Sequence, residues 1–161
     1  MELEVVIEIP KGSRNKYEAD HDTGHIWLDR MLFTATQYPA DYGYLPDTLS
    51  DDGDPLDVLV LLEEPTFPGC HIMARPVGLF RMKDEKGVDT KILAVPATDP
   101  RWGGINDLGD LAPFLLDEIQ HFFEVYKDLE PGKATTIEGW SDAEAAVAEI
   151  ERSRQAFEPH S

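Results

Sequence analysis

The most constraining feature of this chain is Asp51-Asp52-Gly53-Asp54-Pro55-Leu56-Asp57, four carboxylates in seven residues, set directly before the unbroken apolar run Val58-Leu59-Val60-Leu61-Leu62. A short, fully apolar run reads as a strand buried on both faces. The fold must therefore bury this strand while leaving a crowd of carboxylates at its mouth. Carboxylates packed together and partly buried repel one another and raise their own pKa values. A divalent ion removes that penalty, and Asp oxygens are hard ligands suited to Mg²⁺, Mn²⁺ or Ca²⁺. Gly53 and Pro55 set a tight backbone that can converge the side chains. The same residues also read as a solvated acidic turn. An EF-hand is excluded: aligning Gly53 with the invariant glycine puts Thr48 and Ser50 at the first two ligand positions and Leu59 where a Glu is needed.

Around this loop the chain divides into a strand-rich front and a helical back. Leu3, Val5, Ile7 and Ile9 alternate with Glu2, Glu4, Val6 and Glu8, the pattern of a half-buried strand. Lys16 to Ala19 and His25 to Leu28 flank Asp22-Thr23-Gly24, which predicts a hairpin. Ile72 to Phe80 and Lys91 to Val95 are further strands, separated by a polar loop from Lys83 to Asp89. Short strands with frequent turns predict a closed or partly closed barrel. From Pro113 the apolar period becomes helical, through Leu115, Leu116, Ile119, Phe122, Phe123 and Tyr126 up to Lys127, with Asp110 as its cap. A last helix starts near Ser141, which has capping-box spacing to Glu144, and turns Ala145, Ala148 and Ile150 inward. Trp102 and Trp140 lie near loops and read as seals on the core surface.

A length of 161 residues with 42% apolar content suits one folded domain over 1–161. A net charge of −18 disfavours nucleic-acid backbones and anionic membrane surfaces. Cys70 is the only cysteine, so no internal disulfide forms, and without a paired histidine signature it reads as a structural thiol. The N-terminus lacks the pattern of a signal peptide, and no apolar run is long enough to span a bilayer, which predicts a cytoplasmic protein. No G-x-S-x-G elbow, P-loop or H-E-x-x-H motif occurs.

A second acidic group, Asp84, Glu85 and Asp89, lies beside Lys83, Lys86 and Lys91 and reads either as a charged hairpin tip or as part of the same site. Glu8, within the first strand, either faces solvent or enters a polar barrel mouth where it needs a partner. In order, Val6-Ile7-Glu8-Ile9-Pro10, Lys16-Tyr17-Glu18, Asp29-Arg30, Tyr38-Pro39-Ala40-Asp41-Tyr42-Gly43-Tyr44, Asp52-Gly53-Asp54-Pro55-Leu56-Asp57, Arg75-Pro76-Val77-Gly78, Asp84-Glu85 with Asp89 and Lys91, His121-Phe122-Phe123 and Tyr126-Lys127-Asp128-Leu129 resemble the soluble family I inorganic pyrophosphatases, in their short bacterial form of actinobacterial type. The resemblance runs from Val5 to about Phe157.

That resemblance implies an α+β, mainly β fold: a five-stranded OB-type barrel with flanking α-helices. It implies a homohexamer, and hydrolysis of pyrophosphate by a metal-activated water. Asp52, Asp57 and Asp89 match the ligands of a first metal, Asp57 being shared with a second, while Glu8, Asp84 and Asp89 match ligands of ions that arrive with substrate. The expected ion is Mg²⁺, with Mn²⁺ or another divalent ion able to replace it and Ca²⁺ expected to inhibit. Asp54 is the first candidate for general base and Asp89 the second. Lys16, Arg30, Tyr42, Tyr126 and Lys127 match phosphate contacts, and Glu18, Tyr38 and Lys91 match further active-site positions. The competing expectation is a non-catalytic OB-type binding module or an acidic-loop metal-binding protein. The acidic charge weighs against a single-strand-binding barrel, which needs a basic groove.

Overall fold

A computed structural model describes residues 1–157. The alternating N-terminus forms β1 (Leu3–Ile9). A hairpin comes next, β2 (Asn15–Ala19) and β3 (Ile26–Met31), then β4 (Asp41–Leu45) and β5 (Leu56–Val60). Two long strands, β6 (His71–Asp84) and β7 (Gly87–Pro96), precede α1 (Pro113–Val125). The last two elements are β8 (Thr136–Ser141) and α2 (Ala143–Phe157). No described helix is long and apolar enough to cross a membrane.

Strands pair in the order β1-β4-β5-β7-β6, and β6 pairs back onto β1, closing a ring of five strands. This is the OB-type barrel. All of its pairings are antiparallel except β5 with β7. The length of β6 explains the closure: its first residues reach β1, and its last residues hold β8. All five ring strands contribute to one buried cluster, including Leu3, Val5, Leu45, Val58, Leu79 and Ile92, which fills the barrel. Ala146 and Ile150 of α2 join it. The outward residues Leu59, Phe80, Met82, Leu93 and Val95 form a second cluster under Ile119, Phe122 and Phe123 of α1. The apolar run after the acidic loop is thus buried on both faces, Val58 and Val60 inward and Leu59 outward.

Two irregular segments, one in β1 and one in the acidic loop, shape the rim of the barrel. In β1, Ile7 pairs with Gly43 and Ile9 with Tyr42, so Glu8 is the extra residue of a bulge. The bulge moves Ile9 out of the barrel and into the α1-covered cluster, so it does not share a face with Leu3, Val5 and Ile7 as strict alternation predicts. The acidic loop is pinned at its base by Thr48, whose hydroxyl donates to the Leu45 carbonyl at 2.6 Å and accepts the Leu56 N–H at 2.9 Å. Within the loop the Asp54 N–H donates to Asp52 at 3.0 Å, and Gly53 takes φ +88°, a conformation that L side chains rarely adopt.

Several expectations are corrected. The segment Lys83–Asp89 is not an open loop, since β6 runs to Asp84 and β7 restarts at Gly87 around a two-residue turn. Polar composition hid the strand ends because they project beyond the barrel. Asp110 does not cap α1: its carboxylate accepts the Asn106 and Asp107 N–H groups, and Ala112 stands at the helix start without a side-chain bond. Helix α1 also stops at Val125, short of Lys127. Ser141 belongs to β8, and Asp142 caps α2 by accepting the Ala145 N–H at 2.9 Å. The inward face of α2 is Ala146, Ile150 and Ser153, with Ala145 packed beside them as expected and Ala148 exposed instead of inward.

A Cβ on Gly43 would lie 1.9 Å from the Val6 carbonyl oxygen, so β1 and β4 cross too closely for any side chain. We expect Gly43→Ala to cost about 3 kcal/mol or more of stability, read as a shifted urea midpoint. An unchanged midpoint would refute the close crossing.

Candidate active site

On the outer wall of the barrel, between the β2–β3 hairpin, the acidic loop and the end of α1, lies a polar cleft of about 290 Å³. Each residue reaches it for a local reason. The parallel register of β5 and β7 sets Asp57 opposite Lys91. Alternation puts Asp89 on the same face of β7 as Lys91. Tyr42 comes from β4, and the bulge of β1 delivers Glu8. Lys16 and Glu18 alternate outward on β2, across from Arg30 on β3. Asp84 stands at the end of β6, and Tyr126 and Lys127 come directly after α1. Tyr38 forms the wall next to Tyr42, their rings 5.5 Å apart. With Asp52 and Asp54 of the loop, all fourteen residues singled out in the sequence line this one cleft.

Carboxylate oxygens of Asp52, Asp57 and Asp89 lie within 4.8 Å of one another. Lys91, 2% exposed, contacts Asp89 at 2.9 Å, Asp57 at 3.2 Å and the Tyr42 hydroxyl at 2.6 Å. Burial opposes its ammonium, but Asp89, Tyr42 and Asp57 together hold its pKa well above that of a free lysine. Burial pushes the Asp57 carboxyl up to about 8 despite the pull of Lys91, because Asp89 presses from beside it. Burial likewise pushes Glu8 up to about 7; the Ala19 N–H, donating at 2.7 Å, and Lys16 pull it back only partly. Burial also raises Tyr38, Tyr42 and Tyr126, so these phenols stay neutral donors.

The cations form two groups beyond Lys91. Lys16 meets Asp29 at 3.3 Å, and Arg30 bonds both Asp29 and Glu130, the latter at 3.0 Å. The Arg30 Nε is buried without a partner among the described residues. Lys127 meets Asp84 and Glu85, each at 3.5 Å, and Lys133 meets Glu85 at 3.5 Å. Asp29, Glu130, Lys86 and Lys133 received no role from the sequence. The signal for Asp29 was its place beside Arg30; Glu130, Lys86 and Lys133 lie in turns with no periodic pattern.

Nine carboxylates against six cations line the cleft, so an anion would be repelled unless further positive charge enters with it. The all-oxygen donor set and the uncompensated charge at Asp52, Asp57 and Asp89 fit a hard divalent ion.

Carboxyl groups whose folded pKa is raised keep protons that the unfolded chain has released, so stability falls as pH rises from the unfolded value through the folded one. For Glu8 and Asp57 that window opens near pH 4 and closes near 7 and 8. We therefore expect the melting temperature of EDTA-treated protein to fall from about pH 5 to about pH 8. Added Mg²⁺ should recover more of it at the higher pH. A melting temperature flat across this range would contradict the buried, under-compensated cluster.

The inorganic pyrophosphatase family model matches residues 5–158. The inorganic pyrophosphatase of Streptomyces coelicolor is 60% identical over 157 residues, covering 98% of this chain and 96% of its own. That of Leifsonia xyli is 63% identical over 153 residues, covering 95% and 91%. The crystal structure of the Thermus thermophilus inorganic pyrophosphatase superposes with a TM-score of 0.95 at 48% identity, covering 98% of this chain and 91% of that one. With an acidic cleft on an OB-type barrel and a match along nearly its whole length, the chain belongs to the inorganic pyrophosphatase family.

Proposed function

We propose that this cleft hydrolyses inorganic pyrophosphate to two orthophosphates with Mg²⁺, and that its residues divide the task by position. Asp52, Asp57 and Asp89 hold the resident metal, and Glu8 and Asp84 help hold ions that enter with substrate. Bound there, Mg²⁺ supplies an acidified water and neutralises phosphate oxygens. Asp54 takes the proton of the attacking water. It stands exposed at the cleft edge, and its carboxylate has no ion pair among the described residues. Asp89, the alternative base, is already engaged by Lys91 at 2.9 Å. As the new P–O bond forms, the bridging P–O bond breaks and the second phosphate leaves.

Lys16, Arg30 and Lys127 grip the phosphates; Arg offers a planar fork and Lys a point charge. Tyr42 and Tyr126 donate hydroxyl hydrogens without adding charge. Lys91 and Tyr38 hold the cleft floor, and Glu18 borders the phosphate path. The observation that carries this reading is the convergence of three carboxylates, two cation groups and neutral tyrosines in one cleft. A single-strand-binding module would need a basic groove, and this cleft is acidic. We further propose a cytoplasmic homohexamer, with 1–161 acting as one catalytic unit. Exposed Trp27, Leu28, Met31, Phe33, Phe67 and Met73 supply apolar surface for contacts between copies.

Phosphate release from pyrophosphate should require Mg²⁺ and stop with EDTA; release unaffected by EDTA would refute the metal role. Asp57→Ala should lose on the order of a hundredfold or more in turnover. Asp54→Asn should lower kcat while leaving Mg²⁺ affinity intact, whereas Asp89→Asn should weaken Mg²⁺ affinity. The reverse pattern, read by metal titration alongside kinetics, would exchange their roles.

A further inference from the structure

We infer that Lys86, at the tip of the β6–β7 hairpin, is a substrate-binding residue that grips the outer phosphate of pyrophosphate from the rim of the cleft. The inference rests on the hydrolase reading and adds to it a cation that no motif singled out. Six cations line the cleft. Five of them already face carboxylates: Lys16 meets Asp29, Arg30 meets Glu130, Lys91 meets Asp89, Lys127 meets Asp84 and Lys133 meets Glu85. Lys86 alone of the six forms no ion pair among the described residues. A phosphate entering the cleft must share the other five with those carboxylates; the Lys86 ammonium has no such competitor.

The backbone anchors this residue at the rim. The Lys86 N–H donates to Asp84 Oδ1 at 2.8 Å, and Oδ2 of the same carboxylate faces Lys127 at 3.5 Å. One side chain therefore ties the turn to the phosphate-gripping wall. Gly87, at φ +117°, closes the two-residue reversal between Asp84 and its partner. The turn is fixed while the lysine stem stays free, which suits a point charge that tracks a mobile anion. A contact of this kind binds ground state and transition state alike, so it lowers KM and leaves kcat nearly untouched.

The test measures steady-state kinetics with Mg²⁺ and pyrophosphate on the full chain, its Lys86→Ala and Lys86→Arg variants, and Lys83→Ala. Lys83 pairs with Glu138 at 3.1 Å and does not line the cleft, so its removal controls for net charge. We expect Lys86→Ala to raise KM about fivefold, with kcat within about twofold. Lys86→Arg should restore KM, and Lys83→Ala should leave it unchanged. Calorimetric titration of methylenediphosphonate with Mg²⁺ should show the same loss of affinity in Lys86→Ala without depending on turnover. A wild-type chain that releases no phosphate would defeat the hydrolase reading alone, because the titration still reads Lys86. The inference is overturned if KM and Kd are unchanged in Lys86→Ala, if only kcat falls, or if Lys83→Ala has an equal effect.

Discussion

The Lys91 ammonium sits in a nearly closed space between Asp57, Asp89 and the hydroxyl of Tyr42. Burying a charge is costly unless it is paired and hydrogen-bonded, and here each of its donors has a partner. The faces of Tyr42 and Phe123 stand 4.9 Å from the same nitrogen. One cation thus joins β4, β5, β7 and α1, and the cleft is the space left around that junction. It also explains the charge imbalance of the site, since one positive charge cannot satisfy Asp57, Asp89 and Asp52 together. The surplus is what invites a metal.

The second ingredient is irregular backbone. A regular β1 would leave Glu8 in the ladder and Ile9 inside the barrel. The bulge frees Glu8 and sends Ile9 under α1. A second bulge, between Lys16 and Tyr17 on one strand and around Asp29 on the other, brings Asp29 between Lys16 and Arg30. Bulges re-aim side chains at the rims of barrels, and in this molecule both border the same cleft. Regular register places Asp57, Asp89 and Lys91, and these two bulges add Glu8 and Asp29.

Much of this was legible in the residues. A strand in the apolar run, the β2–β3 hairpin and the helix from Pro113 come directly from apolar period and turn chemistry, although β5 spans Leu56–Val60 rather than Val58–Leu62 because its ladder starts within the acidic motif. β4 and β8 were not recognised as strands: Asp41–Leu45 buries Asp41 and Gly43 on the face it shares with Leu45, and Thr136–Ser141 is mostly polar, so neither shows apolar alternation in its sequence. The fourteen site residues were legible only through the order of their motifs, because an acidic turn and a metal loop have the same composition. Their convergence depends on strand register and on bulges, which no local pattern encodes. Glu130 illustrates the limit: it lies a hundred residues from Arg30 in the chain and beside it in the fold.

The closure of the ring has a kinetic consequence. Leu3 pairs with Ala74, and β5 finds its parallel partner only after the whole of β6 has been laid down. Topologies dominated by such distant pairings fold slowly, because loop-closure entropy is lost before the contacts that reward it form. On the ribosome, the first strand must wait with one edge unpaired while most of the barrel is synthesised, and Phe123 reaches Lys91 later still. No nascent chain that ends before Phe123 holds the assembled junction, so the cleft is completed late in synthesis.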